Sequence, residues 1–263
     1  MAETEIMEDN NDFIHTLWDE LADFDAARSD EALGYLMAGL CQLVGAQNAN
    51  WIGSVRMVDI LPGDLVHGWR PRCVRFLHPS AQIDASVKEQ AKNLELGSVD
   101  ESTIRNVAQA GIFRANRATD LVPRWLESDY SLRYFKPFGL SDVIWAGIPV
   151  NADAECYFGI FREDGHSLFT AEERDLVASA LRGLKWFCRQ QLLSHGLTVA
   201  SSPLTATERE VLGGLLSGLS EKQIAADRYQ SPHTTHEYVT NIYRKFGVNN
   251  RATLMALWLG KAA

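Results

Sequence analysis

Between Leu204 and Ala256 the chain spells out the starts of four short helices. Thr205 with Glu208, and Ser220 with Gln223, have the Ser/Thr-x-x-Glu/Gln spacing of a capping box, in which side chains satisfy the orphan amides of a helix N-terminus. Ser231 before Pro232 sets an N-cap oxygen ahead of a proline at the first helical position, where the missing N–H costs nothing. Asn249 or Asn250 supplies a fourth cap. The segments between these caps are short enough for a helix-turn-helix.

The third of these helices has two distinct sides. Thr235, Val239, Ile242 and Phe246 fall at i, i+4, i+7 and i+11, one face of an α-helix and the one that turns to a core. The opposite side carries His233, His236, Glu237, Thr240, Asn241 and Arg244, which are hydrogen-bonding groups. A helix apolar behind and polar in front, preceded by a short helix and a turn, has the geometry of a DNA recognition helix. An ordinary amphipathic helix with a solvated face has the same periodicity, so the pattern alone leaves both readings open.

The residues themselves add to this. Leu204, Thr205, Glu208, Arg209, Glu210, Val211 and Leu212, then Gly218, Leu219, Ser220, Lys222, Ile224 and Ala225, resemble the first half of a LuxR-type helix-turn-helix domain. Ser231, Thr234, Asn241, Ile242, Tyr243, Arg244, Lys245, Gly247, Val248, Asn250, Arg251 and Ala252 resemble the second half, in order and without gaps. The resemblance implies a four-helix DNA-binding transcription-regulator module that acts as a dimer. It implies phosphate contacts for Ser231, Thr234 and Lys245, and base-edge or adjacent phosphate contacts for His236, Glu237, Thr240 and Arg244. The chain departs from the family where Arg228 and Gln230 replace apolar residues, where His236 replaces a Lys or Arg, and at Thr235, Tyr238 and Phe246. An acid at 237 weakens phosphate attraction, although Glu237 can also accept from a cytosine amino group.

The chain's formal net charge of −9 at first argues against a nucleic-acid partner, but the charge is unevenly spread. From residue 201 onward seven cations face five acids, a net +2, which leaves −11 for the first 200 residues. An acidic body with a slightly basic tail suits a regulator whose bulk stays off DNA. The 263 residues suffice for two domains: a sensor over 1–193, a linker over 194–203 containing HGLTVASSP, and the helix-turn-helix domain over 204–263. No run approaches the roughly eighteen apolar residues that span a bilayer. The acidic start MAETEIMEDNND lacks the features of a signal peptide, and four scattered cysteines form no CxxC. We therefore expect a cytoplasmic location, reduced thiols and no membrane partner.

The first 193 residues mix helix and strand, an α+β pattern. Helices are expected over 13–24, 31–44, 86–96, 102–110 and 124–135, and a long one over 171–193 opened by the capping box Thr170/Glu173. Strands are expected over 51–58, 66–77, 142–150 and 155–162, the last two joined by a loop at Asn151–Ala154. The stretch FGLSDVIWAGIPV…CYFGIFREDGHSLFTAEERDLVASAL is similar to the end of GAF- or PAS-like sensor domains. Such a fold sets an antiparallel sheet among helices, and its concave face can hold a mostly apolar small molecule with a few orienting polar groups. Among the many aromatics here, Trp51, Tyr130 and Trp145 are the pocket candidates, because each offers apolar area and one hydrogen-bonding handle. Filling the core is the competing explanation for each of them.

Other chemistries fit less well. Trp125, Tyr130, Tyr134, Asp142 and Trp145 faintly resemble the aromatic-and-aspartate set of acyl-homoserine lactone receptors, with different spacing; quorum sensing is thus an alternative reading. Asp59 before Pro62 resembles a phosphoacceptor turn but lacks the acidic pair and strand-end lysine of a receiver domain. There is no Gly-x-Ser-x-Gly, and Gly213-xxxx-Gly218 lacks the Lys-Ser/Thr of a phosphate loop, so Gly213 and Gly214 read as close-packing positions. His67, Cys73 and His78 match no metal spacing. No enzyme activity, cofactor or metal is expected. Leu176, Ala180, Leu184 and Phe187, and in the tail Leu254, Leu257 and Trp258, form apolar stripes that serve a core or a dimer seam equally well. The sequence thus points to a transcriptional regulator: a homodimer on an inverted-repeat operator in double-stranded DNA, responsive to a small organic effector. A regulator working through protein contacts, with its DNA binding weakened, is the alternative.

Overall fold

The computed structural model describes residues 2–57, 62–197 and 203–259, with side chains from residue 9 onward. Asp59 and residues 198–202 of the expected linker lie outside the described residues. The chain divides into two compact units: one holds residues 1–19 and 34–185, the other 20–33 and 186–263.

The first unit begins in α1 (Ala2–Ala22) and α2 (Ser29–Val44), followed by β1 (Asn48–Arg56) and β2 (Trp69–Phe76). Next come α3 (Ala81–Glu95), α4 (Glu101–Val107), β3 (Arg114–Arg117), α5 (Ala118–Leu121) and α6 (Asp129–Tyr134). The hairpin β4 (Leu140–Asn151) and β5 (Ala154–Glu163) and then α7 (Ala171–Arg182) complete it. The five strands form one antiparallel sheet in the order β2-β1-β5-β4-β3. This is the helix-flanked antiparallel sheet expected of the first part of the chain.

The sheet's two faces have different tasks, set by the strand period of two. One face is dry: Ala49, Trp51, Ile144, Ala146, Ile148, Cys156, Phe158 and Ile160 are all buried and fall on matching rows of the register. Helix α7 packs along β3 and β4, and Trp18 of α1 donates its indole N–H to the Ala180 carbonyl at 2.7 Å. Helices α1 and α2 approach closely at Gly39, where a Cβ would meet Leu17 at 2.7 Å. The other face, which carries Asn50, Ile52, Trp145 and Tyr157, lines a cavity.

Several expectations shift. The strand β3 was not foreseen. The single helix expected over 171–193 is two, α7 and α8 (Lys185–Ser194), interrupted at Gly183 and Leu184. The helix expected over 124–135 is a 3-10 turn, Trp125–Glu127, followed by α6. Of the apolar stripe Leu176, Ala180, Leu184 and Phe187, the last three are buried and Leu176 is half-buried.

The second unit contains α8 and four further helices, α9 (Ala206–Leu216), α10 (Glu221–Asp227), α11 (Pro232–Phe246) and α12 (Arg251–Trp258). All four expected caps form. Thr205 Oγ1 accepts from the Glu208 N–H while Glu208 accepts from the Thr205 N–H; Ser220 and Gln223 repeat this reciprocity. Ser231 Oγ accepts from the Thr234 N–H at 3.0 Å and Asn250 Oδ1 from the Thr253 N–H at 2.9 Å. Val211, Leu215, Ile224, Val239, Ile242, Phe246 and Leu254 make a common core. Gly214 permits the contact of α9 with α10, since a Cβ there would lie 2.7 Å from Ile224; Gly213, whose nearest neighbour is 3.6 Å away, is in ordinary contact only. Leu193 joins this core, and the 3-10 turn Ala26–Arg28 packs against α9. The unit therefore extends beyond the 204–263 boundary expected from the sequence.

Candidate effector cavity and DNA-recognition helix

On the concave face of the sheet lies a cavity of about 910 Å³, floored by the strands and walled by α3, α4 and α6. The register sets which residues share this face of the sheet. Reading across β3, β4, β5 and β1, one row runs Asn116, Trp145, Gly159, Asn50 and the next runs Arg114, Gly147, Tyr157, Ile52. The glycines of these rows make room for their neighbours: the Arg114 guanidinium lies over Gly147, and Asn50 and Phe161 lie over Gly159. Two of its aromatic lining residues rest on a buried third ring: Trp125 meets Trp145 edge-on at 5.5 Å and Phe135 at 4.8 Å.

The walls are held by a few polar contacts. Tyr130 donates to Gln90 Oε1 at 2.6 Å, and Asn93 Nδ2 donates to the Tyr134 hydroxyl at 2.7 Å, so α6 clasps α3 across the cavity. Burial pushes the Tyr130 phenol well above its ordinary range and keeps it a neutral donor. On the same face of the sheet, Arg114 donates to Glu155 Oε2 at 2.9 Å, to the Tyr157 hydroxyl at 2.7 Å and to Asn106 Oδ1 at 2.8 Å. Arg114 and Glu155 are an almost fully buried pair. Asn50 Oδ1 accepts from the Gly159 N–H at 3.0 Å.

Of the three expected pocket residues, Tyr130 and Trp145 line the cavity. Trp51 does not. Its neighbours Asn50 and Ile52 face the cavity, so strand alternation turns Trp51 to the dry face, where it is fully buried. Asp142 is also elsewhere: its carboxylate accepts from the Val143 and Phe169 N–H groups at 2.8 and 2.7 Å. Burial raises its pKa above the ordinary carboxylate value despite those bonds. It fastens a loop rather than facing the cavity. Asn50, Gln90 and Asn93, which also line the cavity, are not singled out by the sequence. The alternation of polar Asn48, Asn50 and Ser54 along a single strand was the available signal.

In the second unit, α11 presents the face expected of it. Thr235, Val239, Ile242 and Phe246 are buried, whereas His236, Glu237, Thr240 and Arg244 are exposed. The two histidines lean on acids, His236 Nδ1 on Glu221 at 2.9 Å and His233 on Glu237 at 3.5 Å. Arg244 donates to Asn241 Oδ1 at 2.9 Å. Ser231 and Thr234 sit together at the helix start, their hydroxyls 2.8 Å apart. Gly247, with φ of 65°, ends the helix.

Lys245 is placed differently from the phosphate contact expected of it. Its ammonium donates to Glu208 Oε2 at 2.6 Å and to the Pro203 carbonyl at 3.0 Å, and it is largely buried. Burial disfavours the Glu208 carboxylate, but hydrogen bonds from Lys245 and Thr205 outweigh it and hold its pKa below the ordinary value. Arg228, a departure from the family pattern, pairs with Glu210 of α9 and so is accommodated. Arg251 donates to the carbonyls of Leu215 and Leu219 near the C-terminal end of α9, the end that favours cations. Tyr229 in the turn has φ of 51° and is 98% exposed. Leu254 and Leu257 lie inside this core, with Trp258 packed on its edge. Among the described residues no helix is long and apolar enough to cross a membrane and no group of His, Cys, Asp and Glu is arranged to hold a metal.

Residues 202–258 match the family described as bacterial regulatory proteins, luxR family. A probable HTH-type transcriptional regulator, GfsR of Streptomyces halstedii, is 40% identical over 68 residues, which cover 25% of this chain and 28% of that protein. A probable transcriptional regulatory protein, NarL of Mycobacterium tuberculosis, is 38% identical over 87 residues, covering 33% of this chain and 38% of its own. The chain thus spans well under half the length of these relatives. Among solved structures, SdiA in complex with octanoyl-rac-glycerol has a TM-score of 0.46 at 16% identity, covering 95% of this chain and 93% of that one. The LBD domain of VqsR from Pseudomonas aeruginosa has a TM-score of 0.44 at 14% identity, covering 70% of this chain and 96% of that one. The four caps, the shared core and the family match together identify residues 202–258 as a DNA-binding regulatory domain of the luxR family.

Proposed function

We propose that the chain is an effector-responsive transcriptional regulator in which the cavity of the first unit takes a small, largely apolar organic molecule and α11 reads double-stranded DNA. The observation that carries this reading is the exposed polar face of α11, with Thr240 and Arg244 uncovered over a fully buried apolar face. The cavity supports the first half: it is within the size range of small-molecule sites, lined by aromatics including Tyr130 and Trp145 and by a few placed polar groups.

Ser231 and Thr234 are positioned for phosphate. His236, Glu237, Thr240 and Arg244 are the groups for base edges or the adjacent phosphate. A homodimer would space two such helices by about 34 Å, one turn of DNA, and so favour an inverted repeat. The effector acts by population shift, binding one arrangement of the chain better than another and changing how often paired helices reach adjacent half-sites. The protein works in the cytoplasm. A reading through protein contacts alone draws on Arg228, Gln230 and Glu237, of which Arg228 is paired with Glu210.

A mobility-shift titration against the DNA upstream of the protein's own gene, with salt varied, tests the reading. Expected are a specific complex with affinity falling as salt rises, and a change of base preference in Glu237→Ala. Equal effects of that substitution on specific and random duplexes would exclude its readout role.

A further inference from the structure

Among the described residues that line the cavity, Asn50 keeps a side-chain donor unspent. Asn50 is 7% exposed, lines the cavity, and spends its Oδ1 on the Gly159 N–H. Its Nδ2 donates to no group among the described residues. An amide donor that faces a cavity and has no protein acceptor is open to a bound partner. The seat is specific to this residue: a Cβ at Gly159 would come within 2.7 Å of Asn50 Oδ1, so the glycine keeps the amide in place with its Nδ2 left over.

The charges around the cavity are, by contrast, already answered. Arg114 is bound to Glu155, Arg133 to Glu89, and Asp100 accepts from the Ser102 and Thr103 hydroxyls and the Thr103 N–H. The other charged lining residues, Arg72, Lys88, Asp129 and Glu163, are exposed to solvent. A charged ligand would enter without a buried counter-charge, and desolvation would oppose it.

We infer that Asn50 is the specificity-determining residue of the cavity: its Nδ2 donates to a carbonyl or ether oxygen of an uncharged effector whose apolar remainder lies against Trp145 and Phe161. This rests on the cavity being the effector site. The two claims are separable by experiment.

Three ten-carbon probes, 2-decanone, decanoate and decylammonium, are titrated against the full chain and read by intrinsic tryptophan fluorescence. The wild type is expected to bind 2-decanone at least tenfold more tightly than either charged probe. Asn50→Asp keeps the oxygen that Gly159 needs and exchanges the donor for an acceptor. It is expected to weaken 2-decanone about tenfold, the scale of one hydrogen bond lost and one oxygen left unpaired, and to improve decylammonium. If that variant fails to fold, the wild-type ranking decides alone. A wild type that prefers decanoate or decylammonium, or a folded Asn50→Asp that binds 2-decanone as well as wild type, overturns the role of Asn50 while leaving the cavity as an effector site. Failure of all three probes to bind overturns both claims.

Discussion

Replacing Lys245 by Met separates a structural cation from a DNA-binding one. In the sequence this residue resembles a phosphate contact, yet its ammonium lies 2.6 Å from Glu208, with side-chain exposures of 16% and 6%. At that separation the gross attraction is about 6 kcal/mol for an effective dielectric near 20, most of which is offset by desolvation. Exposed pairs contribute about 0–1 kcal/mol, and breaking a fully buried one costs about 3–5. An intermediate burial puts Lys245→Met at about 2 kcal/mol of lost stability, because Met keeps the apolar stem and removes only the charge. Urea unfolding followed by circular dichroism measures this. The pH dependence has a defined sign. The Glu208 pKa is lowered in the folded protein from the ordinary 4.5, so its contribution is present above that value and fades as pH falls through the folded pKa. Wild type and variant should converge in acid. On a random-sequence duplex the slope of log affinity against log salt should stay the same, since each phosphate contact contributes about 0.9 to it. A slope reduced by about 0.9 with stability unchanged would mean that Lys245 leaves Glu208 for phosphate, refuting the structural role.

Gly147→Ala would set a Cβ 2.7 Å from the Arg114 guanidinium; disturbing that buried pair should cost about 3 kcal/mol, and a thermal melt indistinguishable from wild type would count against it. Ser231→Ala removes the acceptor for the Thr234 N–H and should cost about 1 kcal/mol in urea midpoint terms, with weaker binding to every duplex. Tyr229→Gly relieves a side chain held at φ 51° and should raise stability by a few tenths to about 1 kcal/mol; a loss would mean that the exposed ring makes a contact in solution.

What the sequence made legible was mostly local. The four helix caps are contacts between residues three apart, so Thr205, Ser220, Ser231 and Asn250 could be placed by spacing alone, and α11 follows from one apolar period. The strands of the β4–β5 hairpin were visible for the same reason. Register was not. Trp51 and Asn50 are adjacent in the chain, and only the pairing of β1 with β5 decides which of them meets the cavity. The strand β3 reads RANR, four residues with no apolar alternation, and it exists because β4 offers it an edge. The partner of Lys245 lies 37 residues away, beyond any helical period. Residues 20–33 join the second unit through contacts such as Arg209 with Asp30 and Gln191 with the Ser29 carbonyl, which a linear reading of domain boundaries does not reveal.

The most direct test of the regulator account is selection of duplexes from a randomised pool by the full chain at low ionic strength, repeated with Thr240→Ala and Arg244→Ala. The account predicts that wild type enriches one sequence motif and that each variant relaxes it at particular positions while remaining folded. Retention of no duplex by wild type, or an unchanged motif in both variants, would contradict the claim that the outer face of α11 reads DNA.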